Sequence, residues 1–238
     1  MRLLVTRPHD DSLDVAERLA VLGHECLIEP LLTIRPVPFR IPDEEISGTV
    51  FSSRNAVRAV ADVGLVAKIA SLPTYCVGDR TEQAAREADL DRTCSADGDR
   101  HALAALIAAR HDPHAAPLWH PHGRHTREGL VEDLRQAGFS LIESVVYEAQ
   151  GVSAFTAQAA SALSSGRLDG GLFFSPRTAR ICANLIDACG TMPHRQAFTA
   201  FCLSQAVAEP LVRLGLSVRV ATRPTLDALI ALLSDETG

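Results

Sequence analysis

Short apolar runs alternate along the chain with longer stretches whose apolar positions recur at helical spacing. The runs predict strands at 3–6, 25–29, 49–52, 74–77, 92–95, 118–120, 141–143, 171–175, 200–203 and 217–221. They are brief and lack the in–out alternation of a half-exposed sheet, the pattern of strands covered on both faces. Helices are predicted between them at 12–22, 55–63, 81–88, 102–109, 127–137, 177–186, 206–214 and 225–233. Strand and helix in alternation predict an α/β fold of doubly wound parallel sheets.

The pattern repeats. Phe51-Ser52-Ser53-Arg54-Asn55-Ala56 resembles Phe174-Ser175-Pro176-Arg177-Thr178-Ala179, 75–90 follows the course of 201–216, and 102–107 resembles 225–230. In the second of these, Asp89 stands where the other copy has Gly215. The remaining match is displaced: 118–146 resembles 4–32, at the opposite end of the order. The unit that opens the chain therefore closes the second copy. This order predicts two similar domains, one inserted in the other: an outer domain of 1–34 plus 150–238 and an inserted domain of 38–146. The connections at 35–37 and 147–149 would form a two-stranded hinge beside a cleft.

Composition narrows the function. The chain has 238 residues, 47% of them hydrophobic, and a net charge of −6, enough apolar material for two cores and the wrong sign for a nucleic-acid partner. The six cysteines include no CxxC pair, and Cys26, Cys76 and Cys202 lie in apolar runs as free thiols do. With no signal peptide read and no apolar run long enough for a bilayer, a cytoplasmic protein without a membrane partner is expected.

Polar residues gather where predicted strands give way to helices. Six of seven such turns contain an arginine: Arg7, Arg54, Arg80, Arg124, Arg177 and Arg223, the seventh being Ser204-Gln205. Ligands of parallel sheets sit beyond the carboxyl ends of strands, and helix amino termini present unpaired amides there, so the turns suit a polyanionic ligand. Ser, Thr and Asp at helix starts are equally ordinary caps. There is no GxGxxG after the first strand and no GxxxxGK[ST], which leaves nicotinamide, flavin and ATP unsupported. The cluster His120, His122 and His125 has the spacing of a zinc site but no Cys or acidic companions, and reads as surface or capping histidines. No serine lies in a GxSxG elbow, so a Ser-His-Asp triad is discounted. Tyr147, at the second domain crossing, could donate a proton or pack as a hinge residue.

Together these segments resemble the uroporphyrinogen-III synthase family over nearly the whole chain. The resemblance rests on Leu3-Leu4-Val5-Thr6-Arg7-Pro8, Pro30-Leu31-Leu32-Thr33-Ile34, Phe51-Ser52-Ser53-Arg54-Asn55-Ala56-Val57, Val77-Gly78-Asp79-Arg80-Thr81, Val145-Val146-Tyr147, Phe174-Ser175-Pro176-Arg177 and Ser204-Gln205-Ala206-Val207-Ala208. It departs at Asp89, at Trp119-His120-Pro121-His122 and at Glu148. The resemblance implies a cyclising hydro-lyase of tetrapyrrole (haem) biosynthesis that needs no cofactor or metal. Its substrate would be hydroxymethylbilane, a linear tetrapyrrole with eight carboxylates, closed with inversion of ring D and loss of water. It implies Tyr147 as the catalytic residue and Arg7, Ser52, Ser53, Arg54, Gly78, Thr81, Gly123, Ser175, Arg177 and Ser204 as substrate contacts. A monomer is expected, with the upstream bilane-forming enzyme as a candidate partner. The competing readings are a two-domain protein that binds an anionic ligand without chemistry and a receiver-type regulatory domain, for which Asp10-Asp11 alone is slender support.

Overall fold

The computed structural model describes residues 1–125, 129–190, 192 and 194–234. Among them the chain forms eleven strands and nine α-helices. The strands are β1 (Arg2–Val5), β2 (Glu25–Ile28), β3 (Leu32–Pro36), β4 (Gly48–Phe51), β5 (Thr74–Cys76), β6 (Thr93–Ser95), β7 (Leu118–Gly123), β8 (Leu141–Gly151), β9 (Gly170–Phe173), β10 (Thr199–Cys202) and β11 (Ser217–Val220). The helices are α1 (His9–Val21), α2 (Arg54–Asp62), α3 (Asp79–Glu87), α4 (Arg100–Arg110), α5 (Leu130–Gln136), α6 (Ala157–Ser164), α7 (Pro176–Cys189), α8 (Gln205–Arg213) and α9 (Leu226–Ser234).

The chain divides into two compact units, Met1–Thr33 with Gln150–Gly238, and Ile34–Ala149. In the first, the sheet runs β11-β10-β9-β1-β2 with parallel pairing throughout. In the second, the order is β3-β8-β7-β4-β5-β6, and the pairs from β8 to β6 are parallel. Setting β7 and β8 against β1 and β2, and β4, β5 and β6 against β9, β10 and β11, gives five strands of the second sheet the order of the first, with β3 added at its edge. Asp89 and Gly215, matched in sequence, both take positive φ (62° and 82°) where α3 and α8 turn toward the next strand. Aspartate tolerates that left-handed region better than most non-glycine residues, which explains its use there.

Each sheet is buried on both faces by alternate residues of the same strands. In the first unit Leu4, Phe173, Ala200 and Cys202 face one apolar cluster, and Leu3, Val5, Leu172 and Phe201 face the other. In the second, Phe51, Cys76 and Trp119 lie on one side and Val50, Tyr75 and Leu118 on the other. This two-sided burial is why the strands read as unbroken apolar runs.

Three elements differ from the sequence reading. Pro36 and Pro38 predict a connection, but β3 is an edge strand, where a missing backbone donor is tolerated. β7 and β8 run on to Gly123 and Gly151, well past their predicted ends at 120 and 143. α6 has an Ala- and Ser-rich sequence whose pattern predicts no helix. The predicted start of a helix at Arg127 lies outside the described residues.

Candidate active site at the strand-order reversal

In the Ile34–Ala149 unit the strand order reverses between β4 and β7, the place where a parallel sheet opens a crevice beyond its strand ends. A cavity of about 630 Å³ lies there. Ser52 and Ser53 leave the end of β4, His120 comes from β7 and Tyr147 from β8; Val77, the Gly98–His101 turn, His125 and Leu130 complete the wall.

Ser53 caps α2, its Oγ accepting from the Asn55 amide at 3.0 Å. The same oxygen lies 3.1 Å from the Tyr147 hydroxyl. Tyr147 is aimed by an irregularity in the ladder. Pairing passes from His122 with Val145 directly to Gly123 with Tyr147, leaving Val146 out, a bulge that redirects the following side chain. The phenol lies against Gly123 so closely that a Cβ there would sit 2.5 Å from Tyr147 Cζ and 2.8 Å from its hydroxyl.

His120 corrects the sequence reading. It is 3% exposed, not a surface or capping histidine, because β7 continues past it and turns the ring inward. Its Nε2 is 3.3 Å from Ser52 Oγ. Burial, and then the neighbouring His122, push its pKa down to about 3, so the ring is neutral at physiological pH. His122 Nδ1–H donates to the Gly123 carbonyl at 2.9 Å. Among the described residues no three His, Cys, Asp or Glu side chains are grouped to hold a metal ion. On the opposite wall Asp99 caps α4, accepting from the His101 and Ala102 amides at 2.9 and 3.1 Å; these bonds, the Ala102 one foremost, hold its carboxyl below the usual range. Arg100 approaches Asp133 at 3.6 Å. Sequence reasoning missed Asp99, Arg100 and His101, although the Asp97-Gly98-Asp99-Arg100 run between the predicted strand 92–95 and helix 102–109 carries the same strand-to-helix signal, arginine included, and could have found them.

The other expected contacts are dispersed. Arg54 opens α2 beside the cavity, and Gly78 is the extended cap of α3. Thr81 lies on the buried face of α3, so its side chain is turned away from solvent. Arg7, Ser175, Arg177 and Ser204 belong to the other unit. There the order reverses between β1 and β9, and the turns after those two strands meet: the Arg7 guanidinium stacks 4.8 Å from the Phe174 ring centroid and donates to Asp11 at 3.2 Å. Ser175 caps α7, accepting from the Thr178 amide at 3.1 Å. Ser204 is the extended cap of α8, after β10.

A family model described as Uroporphyrinogen-III synthase HemD matches residues 14–231. The chain belongs to the uroporphyrinogen-III synthase family. Among curated protein sequences none matches. Among solved structures, uroporphyrinogen-III synthetase from Helicobacter pylori 26695 is similar at 15% identity, covering 99% of this chain and 100% of that one, with a TM-score of 0.67. A mutant uroporphyrinogen III synthase from the extremely thermophilic bacterium Thermus thermophilus is similar at 16% identity, covering 100% and 98%, with a TM-score of 0.51. At these identities the likeness speaks for the fold, an α/β architecture with parallel-dominated sheets. Family membership makes the chain a cyclising lyase of tetrapyrrole biosynthesis. No helix among the described residues is long and apolar enough to cross a membrane.

Proposed function

We propose that this uroporphyrinogen-III synthase family member carries out its reaction at the cavity of the Ile34–Ala149 unit, with Tyr147 as the proton donor. The observation that carries the reading is the Tyr147 hydroxyl, held 3.1 Å from Ser53 in a cavity at the strand-order reversal. The phenol gives its proton to the terminal hydroxyl of hydroxymethylbilane, which leaves as water; the pyrrole N–H proton of the resulting cation returns to the phenolate and leaves an azafulvene. The substituted carbon of ring D attacks that electrophile. The resulting spiro intermediate opens and recloses with ring D reversed.

The bilane closes without help to the unrearranged isomer, so the protein's task is mainly to hold one folded conformer. Orientation of this kind supplies up to roughly 7–11 kcal/mol in well-aligned systems. Ser52, Ser53, Arg54, Gly78 and Gly123 serve as contacts in this unit, and Arg7, Ser175, Arg177 and Ser204 are carboxylate contacts of the other. Thr81 acts only by holding α3. The inserted-domain plan, a monomeric state, a cytoplasmic location and delivery of the bilane by the enzyme that makes it belong to the same proposal.

Tyr147→Phe tests it. Turnover is expected to fall about a hundredfold with KM little changed, the range of a lost general acid. Full activity in that variant would remove Tyr147 from the mechanism.

A further inference from the structure

We infer that His120 is a positioning residue: it fixes the Ser52 hydroxyl as a hydrogen-bond donor into the cavity beside Tyr147, ready for an oxygen acceptor of the ligand, a carboxylate in the case of an eight-acid bilane. The inference rests on the proposed function, because it takes the same cavity as the substrate site.

A neutral imidazole carries one N–H, on one or other of its two ring nitrogens. His120 Nδ1 is shielded from solvent and has no hydrogen-bond partner among the described residues, whereas Nε2 lies 3.3 Å from Ser52 Oγ. A proton on Nδ1 would be a buried donor with nothing to meet. On Nε2 it has an acceptor in Ser52, and only a lone pair is left unmatched at Nδ1. Orphaned donors are rarer in folded proteins than under-satisfied acceptors, so the Nε2–H tautomer is the favoured one. Ser52 Oγ then accepts from the ring, and its own hydrogen is turned away from His120. Ser52 lines the cavity, so that hydrogen is available to whatever the cavity binds.

The neighbouring serine does different work. Ser53 is committed to the Asn55 amide and to Tyr147. The two consecutive residues after β4 therefore split the site: Ser53 fixes the phenol, while Ser52, backed by His120, fixes a donor. The ring's depressed pKa of about 3 keeps it from acting as a proton shuttle at neutral pH and supports a purely orienting part.

The test compares His120→Phe, His120→Gln, Ser52→Ala and the His120→Phe/Ser52→Ala double variant, with hydroxymethylbilane as substrate and Tyr147→Phe assayed alongside. His120→Phe and Ser52→Ala are each expected to raise KM roughly three- to tenfold, the effect of one lost hydrogen bond, with kcat changed less. The double variant should be no worse than either single one, and His120→Gln, whose amide N–H can reach Ser52, should recover most of the affinity. Additive losses in the double variant, or an unchanged KM in His120→Phe, would overturn the role. If Tyr147→Phe loses turnover while the His120 and Ser52 effects are additive, only this inference fails; if Tyr147→Phe and Ser52→Ala are both fully active, the site assignment itself fails. Should His120→Phe not fold, ¹⁵N spectra of the wild-type ring decide: an Nε2–H tautomer supports the role and an Nδ1–H tautomer contradicts it.

Discussion

Tyr147 owes its position to an absent methyl group. The bulge at Val146 swings the phenol over Gly123, and the Cβ of any other residue would overlap the ring. Gly123 does not take a positive φ, so alanine is acceptable to the backbone and the conflict is purely with Tyr147. Gly123→Ala is therefore expected to move the hydroxyl away from Ser53 and lower kcat by up to about a hundredfold, the scale of an ångström-sized misplacement. Its thermal unfolding should stay close to wild type. An active variant in steady-state assays would show that the phenol's placement does not matter. His120 gives the fold a pH dependence. Below the free value of 6.5 an unfolded chain takes up a proton at this site, while the folded chain resists protonation down to about 3. Stability should therefore fall as pH drops from 6.5 toward 3 and level off below that. His24 and His111, also lowered chiefly by burial, act in the same direction. Urea unfolding at about pH 7 and about pH 4.5, on either side of the free value, checks this, and His120→Gln should lose less between the two; an equal loss would exclude His120 as a source.

At the scale of elements, Glu29 joins the two sequence segments of the outer unit. It follows β2, is 1% exposed, and accepts from the Thr156 amide at 2.8 Å and the Thr156 hydroxyl at 2.6 Å, while Thr156 caps α6 through the Ala159 amide. Removing it strands two donors at the start of a helix. Glu29→Ala should cost about 2–3 kcal/mol in chemical denaturation, and Glu29→Gln less, since an amide oxygen still accepts one bond. A loss under about 0.5 kcal/mol, the size of an ordinary surface change, would mean the contact is incidental. Elements of this kind differ in how far the sequence announces them. The central strands are legible because both faces are buried and their apolar runs are unbroken. β3 is not, because an edge strand accepts prolines that a central strand would reject. The serine and arginine turns are visible because capping chemistry is local. The burial of His120 and the Tyr147 bulge depend on how far β7 and β8 extend, and that is settled by pairing between strands with a whole helix between them in the chain.

At the scale of the whole molecule, five strands of each sheet share one order although the chain visits them in different sequence. In each, the turns at the reversal point meet: β1 and β9 bring Arg7 against Phe174, and β4 and β7 bring Ser52 against His120. The displaced repeat is legible in the sequence because the residues that turn each strand into its helix are alike in both copies. What the repeat does not reveal is a difference between the two copies: the cavity of the Ile34–Ala149 unit holds a buried imidazole and a phenol that the matching positions of the other unit lack. On the proposed function this arrangement steers closure of a reactive linear tetrapyrrole. Isomer analysis of the oxidised product, after incubating the purified chain with hydroxymethylbilane, is the deciding experiment. The type III isomer should predominate over the type I isomer that forms unaided; a product no richer in type III than the protein-free control would contradict it.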